Sequence, residues 1–258
     1  MSEILELRSC RAASVDPVPV TPEMQAHSAA AQSPGLSSSL PSSLPSSLFD
    51  RCWRQYALCR EHLFTDHTQQ IATALLPLLN GSRSCSLVEA GCGPGFYSRR
   101  LAAKFPQLQI TGIDLSERLL YRAREHARRS GLENCRFLRA DALSLADFPN
   151  QVDAVVASRL FLILADPALA LQAIFTALRP GGLCFIAEPT SGLSAAVPLL
   201  MMKATQRLRR PHLSVEQVPQ SRILSMNDFE SLVETQPWRS IRIWKYRRYH
   251  FAVCKKAA

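Results

Sequence analysis

The chain lacks any uninterrupted apolar run of the ~18 to 20 residues needed to span a bilayer as a helix. Leu160 to Ala165 and Leu183 to Ala187 are apolar but soon meet Asp166 and Glu188. No C-x-x-C pair occurs among the 8 cysteines, so the usual zinc-ligand spacing is missing and no metal site is expected. The cysteines are scattered, several within apparent strands, where the thiol serves as a small apolar group. A reduced, cytoplasmic protein is expected. Residues 1–48 lack the central apolar block of a secretory signal. They carry Glu3, Glu6, Asp16 and Glu23, acids that transit peptides avoid. Rich in Ser, Pro and Ala, this segment has little to build a core with and reads as a disordered tail.

What remains is ample for one large domain over residues 49–258. The chain has 258 residues, 47% of them hydrophobic. The net charge of +9 is consistent with an acidic partner and says nothing about fold. The organising stretch is Ser86 to Arg100, S-L-V-E-A-G-C-G-P-G-F-Y-S-R-R. Ser86 to Ala90 reads as a buried parallel strand, Gly91, Gly93 and Gly95 as a turn, and Phe96 to Lys104 as a helix. Such a layout belongs to a nucleotide-cofactor site at the carboxyl edge of a doubly wound sheet. A dinucleotide fingerprint would need glycine at position 96, which is Phe96. A bare turn without a ligand is the competing reading.

Downstream, Leu108 to Asp114 reads as a second strand. Asp114 stands near the ~20-residue gap beyond the first glycine at which an acid reaches a cofactor ribose. A carboxylate suits vicinal hydroxyls because it offers two acceptor oxygens. Ser116 to Ser130 reads as a helix capped by Ser116 and stopped by Gly131, its arginines on a solvated face. Cys135 to Arg139 and Val152 to Ala157 follow as strands, Pro167 to Leu178 as a helix. Pro180-Gly181-Gly182 then turns into a strand over Leu183 to Glu188. Ser225 to Glu234 reads as a last helix with a near capping box, and Ser240 to Tyr246 and Tyr249 to Cys254 as an edge hairpin. Ahead of the glycine turn, Phe49 to Phe64 and Asp66 to Leu79 read as helices, the second stopped by Asn80-Gly81. His62 and His67 beside them are either surface or interhelix histidines or a general base.

Glu89 before G-x-G-x-G, Asp114, the A-D-A at Ala140 to Ala142 and the L-R-P-G-G turn resemble, in this order, the motifs of class I S-adenosylmethionine (SAM)-dependent methyltransferases. The likeness is to the small-molecule type of ubiquinone and menaquinone biosynthesis. It implies an α/β fold: a Rossmann-like, seven-stranded, mostly parallel sheet with an antiparallel C-terminal edge hairpin. It also implies SAM as cofactor. The backbone around Gly91 and Gly93 would take the methionyl end, with Glu89 ordering its amino group directly or through water, Asp114 the ribose, Asp141 and the adjacent Ala142 the adenine, and Ser158 the methyl-facing strand end; Gly95 and Leu115 complete the cofactor-binding set. In the resembled family, leading helices lie over the cleft and the 190–224 position supplies a substrate lid. Enzymes acting on exocyclic amines carry D/N-P-P-Y where this chain has Ser158-Arg159-Leu160-Phe161, which favours a small-molecule acceptor over nucleic acid. A tRNA or protein methyltransferase, or a SAM-binding protein without turnover, are the alternatives. No residue is singled out as a catalytic base.

Overall fold

A computed structural model describes residues 52–79, 84–191 and 223–258. The Ser/Pro-rich tail, the Asn80-Gly81 stop and nearly all of the 190–224 segment lie outside the described residues. Seven strands form one sheet: β1 (Cys85–Ala90), β2 (Leu108–Asp114), β3 (Cys135–Arg139), β4 (Val152–Ser158), β5 (Leu178–Pro189), β6 (Ser240–Tyr246) and β7 (Tyr249–Lys255). Their order is β3-β2-β1-β4-β5-β7-β6. The first five are parallel, and β7 runs antiparallel to both β5 and β6. The expected Rossmann-like sheet and its edge hairpin are both present.

The helices are α1 (Trp53–His62), α2 (Thr68–Leu79), α3 (Phe96–Lys104), α4 (Glu117–Arg129), α5 (Pro167–Ala177) and α6 (Met226–Val233). A sheet covered on both faces must bury both sides of its central strands, which is why those strands read as continuous apolar runs. Val155 and Ile186 face α5 and α6 through Leu171, Ile174 and Phe229. Their neighbours Val156 and Phe185 face the other way, towards Ile71 and Leu75 of α2 and Leu101 of α3. Local caps fix the helix starts. The Asp66 carboxylate accepts from the Thr68 amide at 2.8 Å, and Ser225 with Asp228 closes a full capping box on α6.

The Pro-Gly-Gly turn proves to be a break within β5. The register with β4 jumps from Val152–Leu178 to Ala154–Leu183, and Gly181 takes φ +76 inside the detour. Arg179 in this detour pairs with buried Asp153 at 3.1 Å, and Asp153 also accepts from the Ser86 amide. The signature therefore clamps β1, β4 and β5 at the edge opposite the glycine turn. Two short 3-10 helices, Ala142–Asp147 and Phe161–Ile163, were not legible from apolar spacing. Each is set by polar groups, described below. The arginine-rich face of α4 is solvated, with Arg124, Arg128 and Arg129 pairing with Glu117 and Glu125 at the surface.

Gly95 joins α3 to the sheet. Its φ is +71, and a Cβ there would stand 2.6 Å from the Phe137 ring and 3.0 Å from Ala123. Both the backbone and the packing exclude a side chain. Gly95→Ala is expected to destabilise the fold by about 2–4 kcal/mol, from left-handed strain and overpacking together. Denaturant unfolding measures it, and a loss below about 0.5 kcal/mol would contradict this packing.

Candidate active site

The carboxyl ends of β1, β2 and β4 meet at a cavity of about 240 Å³. Its wall includes Gly91 from the turn after β1, Asp114 and Leu115 from the end of β2, and Asp141 and Ala142 after β3. Thus residues far apart in sequence, each expected at the cofactor site, line one space. Glu89, Gly93, Gly95 and Ser158 stand behind this wall rather than in it.

Asp114 holds the turn in shape. Its Oδ2 accepts from the Gly93 amide at 2.8 Å and its Oδ1 from the Ser116 amide at 2.8 Å. The carboxylate thereby ties the glycine turn to the start of α4 and stays fixed at the cavity wall. Gly91 has φ +70, and a Cβ there would come within 3.0 Å of Leu160 Cδ1, so any side chain would fill the cradle. Across the cavity, the Asp141 side chain accepts from the Leu143 amide at 3.0 Å and caps the first 3-10 helix.

Glu89 is buried and is not part of the cavity wall. Its Oε2 accepts from the Ser98 amide at 2.7 Å and from the Ser98 hydroxyl. It therefore ties the first turn of α3 to β1, and burial pushes its carboxyl up to about 7 despite those two donors. Ser158 shares a hydrogen bond with the Tyr97 hydroxyl. His67 is buried, its Nδ1 3.0 Å from that same hydroxyl and its ring 4.3 Å from Tyr249. Burial and the nearby Arg60 charge pull its pKa down to about 4, so the imidazole is neutral at pH 7. It is the interhelix histidine of the two sequence readings, packed between α2, α3 and β7.

Three contributors were missed. Tyr56 of α1 lines the cavity and lies 3.2 Å from where a Gly93 Cβ would stand. Its helical spacing signalled an inward face but not which cleft it covers. Arg159, also in the wall, takes φ +58 just past β4. A bulky residue in that left-handed region is a mark of a functional corner, and its only sequence signal was the motif it displaces. Glu188, at the end of β5, is buried. Its Oε1 accepts from the Leu160 and Phe161 amides at 2.8 and 3.0 Å, and its Oε2 has no hydrogen-bond partner among the described residues. This carboxylate sets the second 3-10 helix, and burial lifts its pKa to about 7.

A family model described as a methyltransferase domain matches residues 82–241, and the chain belongs to that family. It is similar to a trans-aconitate 2-methyltransferase of Paracidovorax citrulli, 29% identical over 182 residues, 70% of this chain and 68% of that protein. It is also similar to a ubiquinone biosynthesis O-methyltransferase of Stutzerimonas stutzeri, 37% identical over 100 residues, 38% of this chain and 42% of that protein. The fold matches the crystal structure of a SAM-dependent methyltransferase from Aquifex aeolicus with a TM-score of 0.53 at 18% identity, covering 79% of this chain and 96% of that one. The protein is thus a methyltransferase by family, on a fold shared with SAM-dependent methyltransferases.

Glu188 generates a pH prediction. An ordinary glutamate titrates near 4.5, and this one near 7. Between those values the folded chain holds a proton that the unfolded chain has lost, so stability falls as pH rises from about 4.5 to about 7. In Glu188→Gln that contribution is absent. Relative to wild type, the variant should gain about 2 kcal/mol between pH 5 and pH 8, at ~1.4 kcal/mol per pKa unit. Urea unfolding at the two pH values checks it, and a difference independent of pH would contradict the buried, protonated carboxyl.

Proposed function

We propose that this cavity binds SAM and that the protein transfers its methyl group to a small-molecule acceptor. The observation that carries the reading is the Asp114 carboxylate, fixed by two backbone amides in the wall of a cavity that also holds Gly91, Asp141 and Ala142. The donor set fits an adenosyl sulfonium. Asp114 offers two anchored acceptor oxygens for vicinal ribose hydroxyls. Leu115, Ala142 and Leu119 give apolar surface for a purine, with Asp141 as acceptor at its edge. Gly91 in the wall, with Gly93 beside it under Tyr56, is the place for the methionyl end. Gly95 and Glu89 shape this place from behind, by packing and by fixing α3.

When bound, SAM would supply an electrophilic methyl group carried on a sulfonium. The leaving group is already activated, so the chain's task is to align and desolvate the acceptor. Tyr56 closes the space from the α1 side, its ring packed edge-on against Phe64 with centroids 6.2 Å apart. Ser158, held through Tyr97, sets the strand end that faces the transferred methyl. A small acceptor fits this reading because the two relatives described above are named for trans-aconitate and for ubiquinone biosynthesis. The Ser158-Arg159-Leu160-Phe161 stretch also lacks the motif of exocyclic-amine enzymes.

Calorimetry with SAM tests the assignment. Asp114→Ala should weaken binding at least 10-fold. Asp114→Asn, which keeps one acceptor oxygen, should fall between it and wild type. Circular dichroism should show the sheet retained in both. Equal affinity in all three proteins would remove Asp114 from the site.

A further inference from the structure

Among the described residues the cavity wall carries one cation, Arg159, beside the acids Asp114 and Asp141 that the cofactor reading assigns to the ribose and the adenine. Arg159 lines the wall, with its guanidinium carbon 4.0 Å from the Phe64 ring centroid and its Nη1 donating to the Tyr249 hydroxyl at 3.2 Å. Its backbone amide bonds to the Ala187 carbonyl, and its φ of +58 holds the side chain at this corner. Among the described residues Arg159 makes no ion pair. The buried Glu188 carboxyl feels its charge, but that acid spends Oε1 on the Leu160 and Phe161 amides, and burial lifts its pKa to about 7.

A second cation stands behind the first. Arg60, one turn after Tyr56 on α1, is 6% exposed, and its Nη1 and Nη2 find no hydrogen-bond partner among the described residues. It lies over Phe96 and Tyr97, 3.9 and 4.4 Å from their centroids, and 5.8 Å from the Phe64 ring that Arg159 also covers. Aromatic faces ease the burial of a guanidinium but do not cancel its charge. Both arginines act electrostatically on Tyr56, whose hydroxyl is nevertheless raised by burial.

We infer that Arg159, with Arg60 reinforcing its field from behind Tyr56, forms a carboxylate-binding subsite at the acceptor end, so that the acceptor is a small organic acid. The inference rests on the SAM-dependent reading above. A sulfonium would bring a further positive charge to the two guanidiniums, and a protonated amine would add yet another. An organic anion relieves that repulsion, and a guanidinium presents paired donors that match the two oxygens of a carboxylate. Arg159 makes the contact. Arg60 is a positioning residue that adds its field to that of Arg159.

The test uses the full chain saturated with S-adenosylhomocysteine, titrated calorimetrically with trans-aconitate and cinnamate as carboxylate probes and with their methyl esters as neutral controls. At least one acid should bind and its ester should not. Arg159→Gln should weaken that acid at least 10-fold, Arg159→Lys less, and Arg60→Met about 3-fold or more. With methyl-labelled SAM and an acid that is turned over, Arg159→Gln should raise KM more than it lowers kcat, which a merely structural role would not do. Binding of neither acid, equal binding of acid and ester, or indifference to Arg159→Gln would overturn the inference. Those results with S-adenosylhomocysteine bound would leave the cofactor reading standing. Failure of the wild-type protein to take up S-adenosylhomocysteine would overturn both.

Discussion

The structure turns on one carboxylate at the end of β2. Asp114 accepts from the Gly93 amide on one oxygen and from the Ser116 amide on the other. Charge-assisted bonds of this kind are roughly twice as strong as neutral ones. Here they join three elements: the turn after β1, the end of β2 and the start of α4. The glycines permit the turn, but a permissive backbone has no preferred shape of its own. Asp114 supplies the preference. The same group lines the cavity, so the bond that shapes the loop also fixes a carboxylate in its wall.

Buried acids recur as the means of fixing local backbone. Glu89 fastens α3, Glu188 fastens the 3-10 turn after β4, and Asp153 clamps the opposite edge of the sheet with Arg179. They differ in electrostatic cost. Asp153 has an arginine partner, whereas Glu89 and Glu188 are lifted to about 7 by burial. Around the cavity, the Asp114 and Asp141 carboxylates stand at the cofactor side of the wall, and Arg159, with Arg60 nearby, at the other. A chain of overall charge +9 need not bind a polyanion to make use of such a region. The basic residues of α4 are solvated surface, while the two that bear on the cavity sit among aromatic rings.

The sheet was legible because burial on both faces forces apolar runs, and five parallel strands with intervening helices leave few alternative topologies. Asp114 and Asp141 were legible because a strand end is a fixed place in such a fold, and the cavity wall holds both. The surroundings of Glu89 and Gly95 were less so. Sequence placed both beside the ligand; the structure has Glu89 bonded to Ser98 and Gly95 against Phe137. Period and composition cannot say which way a residue at the strand–helix junction points. Tyr56, Arg60 and Arg159 were harder still. Their meaning comes from α1 folding over the glycine turn, a contact between segments joined by no shared pattern. The Pro-Gly-Gly detour was read as a turn because its residues favour one, yet the chain resumes the same strand beyond it.

The most direct measurement is a crystal structure of the full chain grown with S-adenosylhomocysteine. The account predicts the nucleoside in the cavity between the glycine turn and Asp141, with its ribose hydroxyls on the Asp114 carboxylate and the Gly93 and Ser116 amides still bonded to it. A nucleoside bound elsewhere, or Asp114 turned away from the ribose, would contradict it.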